Sequence, residues 1–376
     1  MSCGRVRHLY VHLPFCAHRC GYCDFVTVTG GSGQHAAYVD ALLAELALEA
    51  GVLAPKLETI FVGGGTPTFT APDQLERLLK KLPPAAELTV EANPETITPA
   101  LSQLLHSCGV NRVSLGAQSF QPRLLEVLER RAGPDAVRRA FYHLCDASFD
   151  NISLDLLYGI PGQSPSDLDR DLSEALALGP EHLSCYELEA KPGTRFTHRH
   201  GAELSRQADA MEAYFERVVE TLTGAGYRWY ETANFCLGPD RSAGRDFRAR
   251  HNLAYWLGRD YLGVGVGAVS TIEQVRRRNT RRLPLYLAEL AAGKVPPREL
   301  ERLDADVRRR ERLMLGLRLD DPLKLDPLSQ AVDRKALARL EALGLVRAAS
   351  VGGGEELTLT KRGRFLGGGV TAELLA

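Results

Sequence analysis

The sequence predicts an α/β fold whose first half is six consecutive βα units, followed by an α+β extension and a C-terminal winged-helix-like unit. Three observations carry this. Short β-branched or apolar runs alternate with stretches of helical period up to about residue 194. Beyond Gly193 the composition shifts to one long helical stretch and a Gly/Arg-rich loop. Near the end, two helical stretches precede a hairpin around Gly352-Gly-Gly354.

The six strand candidates are residues 9–13, 59–62, 88–91, 112–115, 152–156 and 182–188, separated by helices such as 36–50, 72–82 and 166–178. Strands alternating with helices join as a parallel sheet through right-handed crossovers, with ligand groups gathered at the strands' C-terminal ends. Six units suggest an incomplete barrel open on one side; a doubly wound sheet is the alternative. The second part is read as a helix over 205–226, a strand over 229–235, the glycine-rich run Tyr261-Leu-Gly-Val-Gly-Val-Gly-Ala268 and a basic run at Arg276–Arg278 and Arg281–Arg282. Pro296-Pro297 marks a linker, so the expected units are residues 1–204, 205–295 and 296–376. The last contains helices over 304–317 and 334–343 and a hairpin, a shape compatible with nucleic acid but without a visible basic stripe, so packing is its expected role.

Composition bounds the function. A chain of 376 residues can bury a sizeable core, and a formal net charge of -1 supplies no global field for nucleic acid or an anionic membrane. No apolar run has the length of a signal peptide or of a membrane helix, which makes the cytoplasm the expected compartment. The eight cysteines do not form a disulfide pattern: three crowd into residues 16–23, while Cys3, Cys108, Cys145, Cys185 and Cys236 are scattered and read as small buried apolar residues.

The strongest signal is Phe15-Cys-Ala-His-Arg-Cys-Gly-Tyr-Cys-Asp-Phe25, a CxxxCxxC spacing directly after the first strand. Three thiolates on one loop can ligate three irons of a four-iron cluster and leave the fourth open. A zinc site completed by His12 or His18 is the competing reading, but no second knuckle follows at matching spacing. Gly63-Gly-Gly-Thr-Pro67, after the second strand, is neither GxGxxG nor a P-loop; its glycines are read as letting backbone approach a ligand. Glu91, Gln118 and Asp155 each end or follow a strand, which aims all three at one cleft.

The cysteine loop, with an aromatic at Tyr22, resembles the radical-SAM signature, which implies a partial (β/α)6 radical-SAM barrel. The resemblance supplies the missing ligand: S-adenosylmethionine would chelate the fourth iron of a 4Fe-4S cluster on Cys16, Cys20 and Cys23, and one electron would cleave its sulfonium to a 5′-deoxyadenosyl radical. The stretches Leu9-Tyr-Val-His-Leu-Pro-Phe15, Gly63-Gly-Gly-Thr-Pro67, Val90-Glu-Ala-Asn-Pro94, Gly116-Ala-Gln-Ser-Phe120 and Asp155-Leu-Leu-Tyr-Gly-Ile-Pro161 resemble the coproporphyrinogen-dehydrogenase-like branch. Carried over, this implies that Tyr10, Tyr22, Gly64, Gly65, Thr66, Glu91, Gln118, Arg130 and Asp155 surround S-adenosylmethionine.

Within that branch three features are similar to the heme chaperone HemW family rather than to the dehydrogenases. Phe25 stands where the dehydrogenase pattern continues CxC, only a few residues precede the first strand, and His251-Asn-Leu-Ala-Tyr-Trp256 matches an HNxxYW motif followed by the YLGxGxGA run. Imidazole is a common axial ligand of heme, so His251 is the expected heme ligand, with Tyr255 and Trp256 as flat apolar surface; a short helix packed into the core is the plain alternative, and His8, His12, His18, His198 and His200 compete. The implied function is a heme chaperone that passes heme to an acceptor protein, with flavodoxin or ferredoxin as electron donor. The rivals are oxidative decarboxylation of porphyrinogen propionates and, suggested by Arg276–Arg282, radical modification of RNA. Two stretches depart from the family pattern: GRxH appears as Glu129-Arg-Arg-Ala132 and ExGT as Lys191-Pro-Gly-Thr194.

Overall fold

A computed structural model describes residues 6–189, 191 and 195–375. The first helical–extended half folds as the alternation requires. Strands β1 (His8–Leu13), β2 (Leu57–Gly64), β3 (Ala85–Ala92), β4 (Arg112–Gln118), β5 (Ile152–Tyr158) and β6 (His182–Glu187) lie side by side in chain order, all parallel. Helices including His35–Glu49, Pro72–Leu79, Pro134–Asp146 and Pro165–Leu178 return the chain between them. Consecutive neighbours identify an open partial barrel and exclude the doubly wound order, in which the chain reverses across a switch point.

The two edges are filled from the extension. β7 (Tyr227–Glu231) and β8 (Asn234–Leu237) form an antiparallel hairpin against β6, and β9 (Leu262–Val264) runs parallel to β1, giving the sheet order β9-β1-β2-β3-β4-β5-β6-β8-β7. The segment expected as one strand over 229–235 is therefore two, turning at Thr232-Ala233. The helix expected over 205–226 is also divided. Arg195–Gln207 gives way to a tight 3-10 turn at Ala208–Ala210 before Met211–Gly224.

Inside each barrel strand the side chains alternate between two environments. One set, including Leu9, Val11, Ile60, Val62, Val90, Val113, Leu115, Leu154 and Leu183, is fully buried beneath the helices. The other set faces the barrel interior and is largely polar: Tyr10 on β1, Thr89 and Glu91 on β3, Arg112 and Ser114 on β4, Ser153 and Asp155 on β5, His182 and Ser184 on β6. An interior of branched apolar residues would be packed shut. This one encloses a cleft of about 730 Å³.

The boundary expected at 296 falls inside a sheet. Arg298–Arg302 pairs with Val275–Asn279, which pairs with Val269–Ile272, so the extension continues to Leu303. After it, Ala305–Gly316, Arg334–Ala342 and the hairpin Val346–Val351/Gly354–Leu359 build a small unit with its own core of Leu313, Leu325, Leu337, Leu340, Leu357 and Leu374. The first part of the basic run is ion-paired: Arg276 with Glu301 and Glu311, Arg277 with Glu49, and Arg278 with Glu299. Among the scattered cysteines, Cys185 and Cys236 are buried, Cys108 is half-buried and Cys145 is exposed; Cys3 lies outside the described residues.

Candidate functional site

The loop after β1 carries the three thiols to the mouth of the barrel. Cys16 is held by a short parallel ladder with Val28–Thr29 and by a 3.3 Å contact of its Sγ with Thr66 Oγ1. A turn from Cys23 N–H to the Cys20 carbonyl, 3.2 Å, closes the second half of the loop. All three sulfurs are free and line the cleft. Burial pushes the Cys16 and Cys23 thiols up, so binding a metal there would displace protons. Three soft donors on one loop, with Arg130 Nη1 lying 3.9 Å from the Cys20 sulfur, fit a polynuclear iron–sulfur group with an overall negative charge.

Arg130, carried by the loop after the helix Pro122–Val127, reaches into the cleft and is fixed by the Asn93 side chain at 3.0 Å and the Gly116 carbonyl at 2.8 Å. Glu91, at the end of β3, accepts the Gly64 N–H at 3.0 Å; burial, with Asp155 nearby, pushes its carboxyl up to about 7. Asp155 accepts the Ser114 hydroxyl at 3.1 Å and is pushed up to about 6, again chiefly by burial. Gln118 ends β4 after a register shift from Gly116 and itself adopts φ of 66°, a strained left-handed conformation, while still pairing with Leu156. Tyr10 stacks on Phe61 and donates to His12 Nδ1, whose Nε2–H is spent on the Val26 carbonyl. Tyr22 meets the ring of Phe196 edge-on.

Thus Tyr10, Cys16, Cys20, Tyr22, Cys23, Gly64, Gly65, Thr66, Glu91, Gln118, Arg130 and Asp155 all line one cleft. The glycines also meet a need within the protein. A Cβ at Gly63 would sit 2.7 Å from Glu91 Oε2, one at Gly64 2.5 Å from the His12 ring, and one at Gly65 2.6 Å from the Pro14 carbonyl. They let the cysteine loop and Glu91 close over β2, and so shape the wall of the cleft.

His251 departs from expectation. It stands in the helix Arg250–Trp256 beneath the barrel floor, 1% exposed, with Nδ1 2.8 Å from Thr59 Oγ1 and Nε2 2.8 Å from the Tyr255 hydroxyl. Its ring stacks on Phe61, and burial pushes its pKa down to about 3, so the imidazole is neutral. Neither nitrogen faces the cleft, and ligating iron would break two buried hydrogen bonds; in this arrangement His251 is a core residue. The glycine-rich run is also internal: Gly265 N–H donates to Glu45 and Val266 N–H to the Tyr38 hydroxyl, while Tyr38 donates to the His12 carbonyl. A Cβ at Gly265 would lie 2.7 Å from that same carbonyl.

Of the departures from the family pattern, Glu129 adopts φ of 57° and pairs with Arg195, with His18 at 4.0 Å, and Ala132 is buried. Residues 192–194 lie outside the described residues. Sequence reasoning missed Asn93, which fixes Arg130, and the interior residues Thr89, Arg112, Ser114, Ser153, His182 and Ser184. Their signal was present as polar residues at every second position of otherwise apolar strands.

The radical SAM superfamily model matches residues 10–175. The chain is 38% identical to heme chaperone HemW of Mycobacterium tuberculosis over 99% of this chain and 95% of that protein. It is 35% identical to heme chaperone HemW of Bacillus subtilis over 83% of each chain, and 37% identical to the Escherichia coli protein of the same name over 69% of this chain and 68% of that one. Among solved structures, the coproporphyrinogen III oxidase HemN of Escherichia coli, a radical SAM enzyme, superposes with a TM-score of 0.81 at 26% identity, covering 98% of this chain and 90% of that one.

Proposed function

This chain belongs to the heme chaperone HemW family of radical SAM proteins, and from that premise we propose that it binds heme and passes it to an acceptor protein under the control of a cluster and S-adenosylmethionine. The observation that carries the reading is similarity to a heme chaperone across 99% of the chain, from the cysteine loop to the C-terminal unit. Cys16, Cys20 and Cys23 hold the 4Fe-4S cluster. Tyr10, Tyr22, Gly64, Gly65, Thr66, Glu91, Gln118, Arg130 and Asp155 surround S-adenosylmethionine. When bound, the cluster and S-adenosylmethionine supply one-electron chemistry at a sulfonium.

The chain's own groups prepare that place. Arg130 sets a fixed positive charge beside Cys20, which suits an anionic cluster. Glu91 spends one carboxylate oxygen on Gly64 and keeps Oε1 for the ligand; as an acceptor it suits a hydroxyl or amino group. The helix Arg195–Gln207 brings Phe196 edge-on against Tyr22 beside the cysteine loop. We place the protein in the cytoplasm with a donor of the flavodoxin or ferredoxin kind; among the described residues no helix is long and apolar enough to cross a membrane.

HemN's close superposition keeps porphyrinogen decarboxylation as the second reading. Against it stands Phe25, 63% exposed at the cleft mouth where a further cysteine would continue the dehydrogenase pattern. The deciding experiment reconstitutes the cluster anaerobically and offers heme and coproporphyrinogen III separately with S-adenosylmethionine. Heme retained through gel filtration and released to an acceptor, with no decarboxylation, is the expected result. Formation of protoporphyrinogen would replace the chaperone reading with the enzymatic one.

A further inference from the structure

We infer that Arg112, Thr89 and Asn252 form a carboxylate-binding subsite on the floor of the cleft, beneath the residues that face S-adenosylmethionine. Arg112 opens β4 directly opposite Thr89 on β3, and both line the cleft. Arg112 is only 2% exposed, and its guanidinium is engaged through Nη1 alone, by Asn151 Oδ1 at 2.7 Å and the Phe247 carbonyl at 3.1 Å. Among the described residues no carboxylate comes within ion-pair distance of it. Glu87, two residues before Thr89 on the same face of β3, accepts the amides of Arg250 and His251 at 3.3 and 3.1 Å, and Asp155 accepts the Ser114 hydroxyl; Arg112 is near enough to hold both carboxyls lower than burial alone would, but bonds to neither.

The other two groups have no side-chain hydrogen-bond partner among the described residues. Thr89 Oγ1 is buried and unbonded, in a residue 1% exposed. Asn252 follows His251 in the HNxxYW stretch; where His251 turns into the protein, Asn252 lines the cleft, and its amide has no partner among the described residues. A guanidinium cannot lose its proton, and the N–H groups that Arg112 does not spend on Asn151 and Phe247 remain as buried donors at the cleft. A carboxylate matches the free fork of Arg112 in charge and plane, and the Asn252 amide and Thr89 hydroxyl supply neutral donors beside it. A phosphate dianion would leave a charge unmatched close to Glu87 and Asp155.

The carboxylate has two sources: a small free acid, or an acid arm of heme. The first stands on the geometry alone; the second also rests on the heme reading. The test uses the cluster-loaded full chain and fluorine NMR with trifluoroacetate, and trifluoroacetamide as its uncharged control. Saturable broadening is expected for the acid and not for the amide. Thr89→Val and Asn252→Ala are expected to weaken acid binding by about threefold to tenfold, the worth of one hydrogen bond of roughly 1 kcal/mol. Arg112→Gln is expected to lose more, but it also releases Asn151 and Phe247, so the two milder variants decide. Equal binding of acid and amide, or acid binding unchanged in both mild variants, overturns the subsite. Heme and its dimethyl ester are then compared: an ester that binds more weakly and ignores Asn252→Ala assigns the carboxylate to heme, and equal binding assigns it to a free acid. Heme failing to bind at all defeats the chaperone reading while leaving the fluorine result to stand or fall alone.

Discussion

At the mouth of the barrel Cys16, Cys20 and Cys23 turn their sulfurs into an open cleft, whereas at its floor His251 turns its ring into the protein and spends both nitrogens on Thr59 and Tyr255. Both stretches are motifs by which the chain resembles its family, yet only one turns its metal-ligating atoms to the cleft. The difference lies in hydrogen-bond accounting. A sulfur with at most one weak protein contact, facing a cleft, stays accessible from that cleft; a ring satisfied at both nitrogens in the core is holding the core.

The largest expected effect lies at the mouth. Replacing any one of Cys16, Cys20 or Cys23 by Ala should abolish the iron–sulfur chromophore after anaerobic reconstitution, while circular dichroism and Tm of the apo-protein stay close to those of the parent. A cluster that survives one of these changes would place its ligand elsewhere.

At the floor the order reverses, with stability moving first. His251→Ala removes a buried ring and strands Thr59 and Tyr255, which should cost about 2–4 kcal/mol of unfolding free energy in urea titration. Heme retained per folded molecule should change little. Loss of the heme spectrum at unchanged stability would make His251 the ligand and erase the contrast between the two ends.

Between the ends, Glu91 and Asp155 have pKa values raised to about 7 and about 6 from 4.5 and 3.8. The folded chain therefore keeps protons that the unfolded chain releases, and these groups withdraw stability as the pH rises from about 4 to about 7, with no further loss above. The Glu91→Gln, Asp155→Asn double variant should flatten the dependence of apo-protein Tm on pH across that window. Parallel curves for parent and variant would show that water in the cleft solvates both carboxylates.

The smallest effect belongs to Phe25, which is exposed at the mouth and makes little use of the fold. Phe25→Ser should alter unfolding free energy by no more than about 0.5 kcal/mol. A heme affinity that falls with it would assign this ring to the cargo, and an unchanged affinity would move heme away from the mouth.

Much of this was legible because strands and helices are written locally. All six barrel strands appear where β-branched runs alternate with helical period, and Glu91, Gln118 and Asp155 were found from their place at strand ends. Thr89, Arg112, Ser153 and His182 were missed because each is an ordinary polar residue until the barrel curves and turns alternate positions inward. The boundary at Pro296-Pro297 misled because prolines mark a turn equally well between two domains and within a sheet, and Arg298–Arg302 goes on to pair with Val275–Asn279.

By itself the sequence determined the βα alternation, the three-thiol loop and the family, since each depends on spacing along the chain. Only the tertiary structure decided that Arg130 reaches the Cys20 sulfur from a loop 110 residues away, that Gly63-Gly-Gly65 accommodates the protein's own His12, Pro14 and Glu91, and that within His251-Asn252 the first side chain is buried and the second faces the cleft. Side-chain direction and satisfied hydrogen bonds are properties of what surrounds a residue in space, and neighbours in space are not neighbours in sequence.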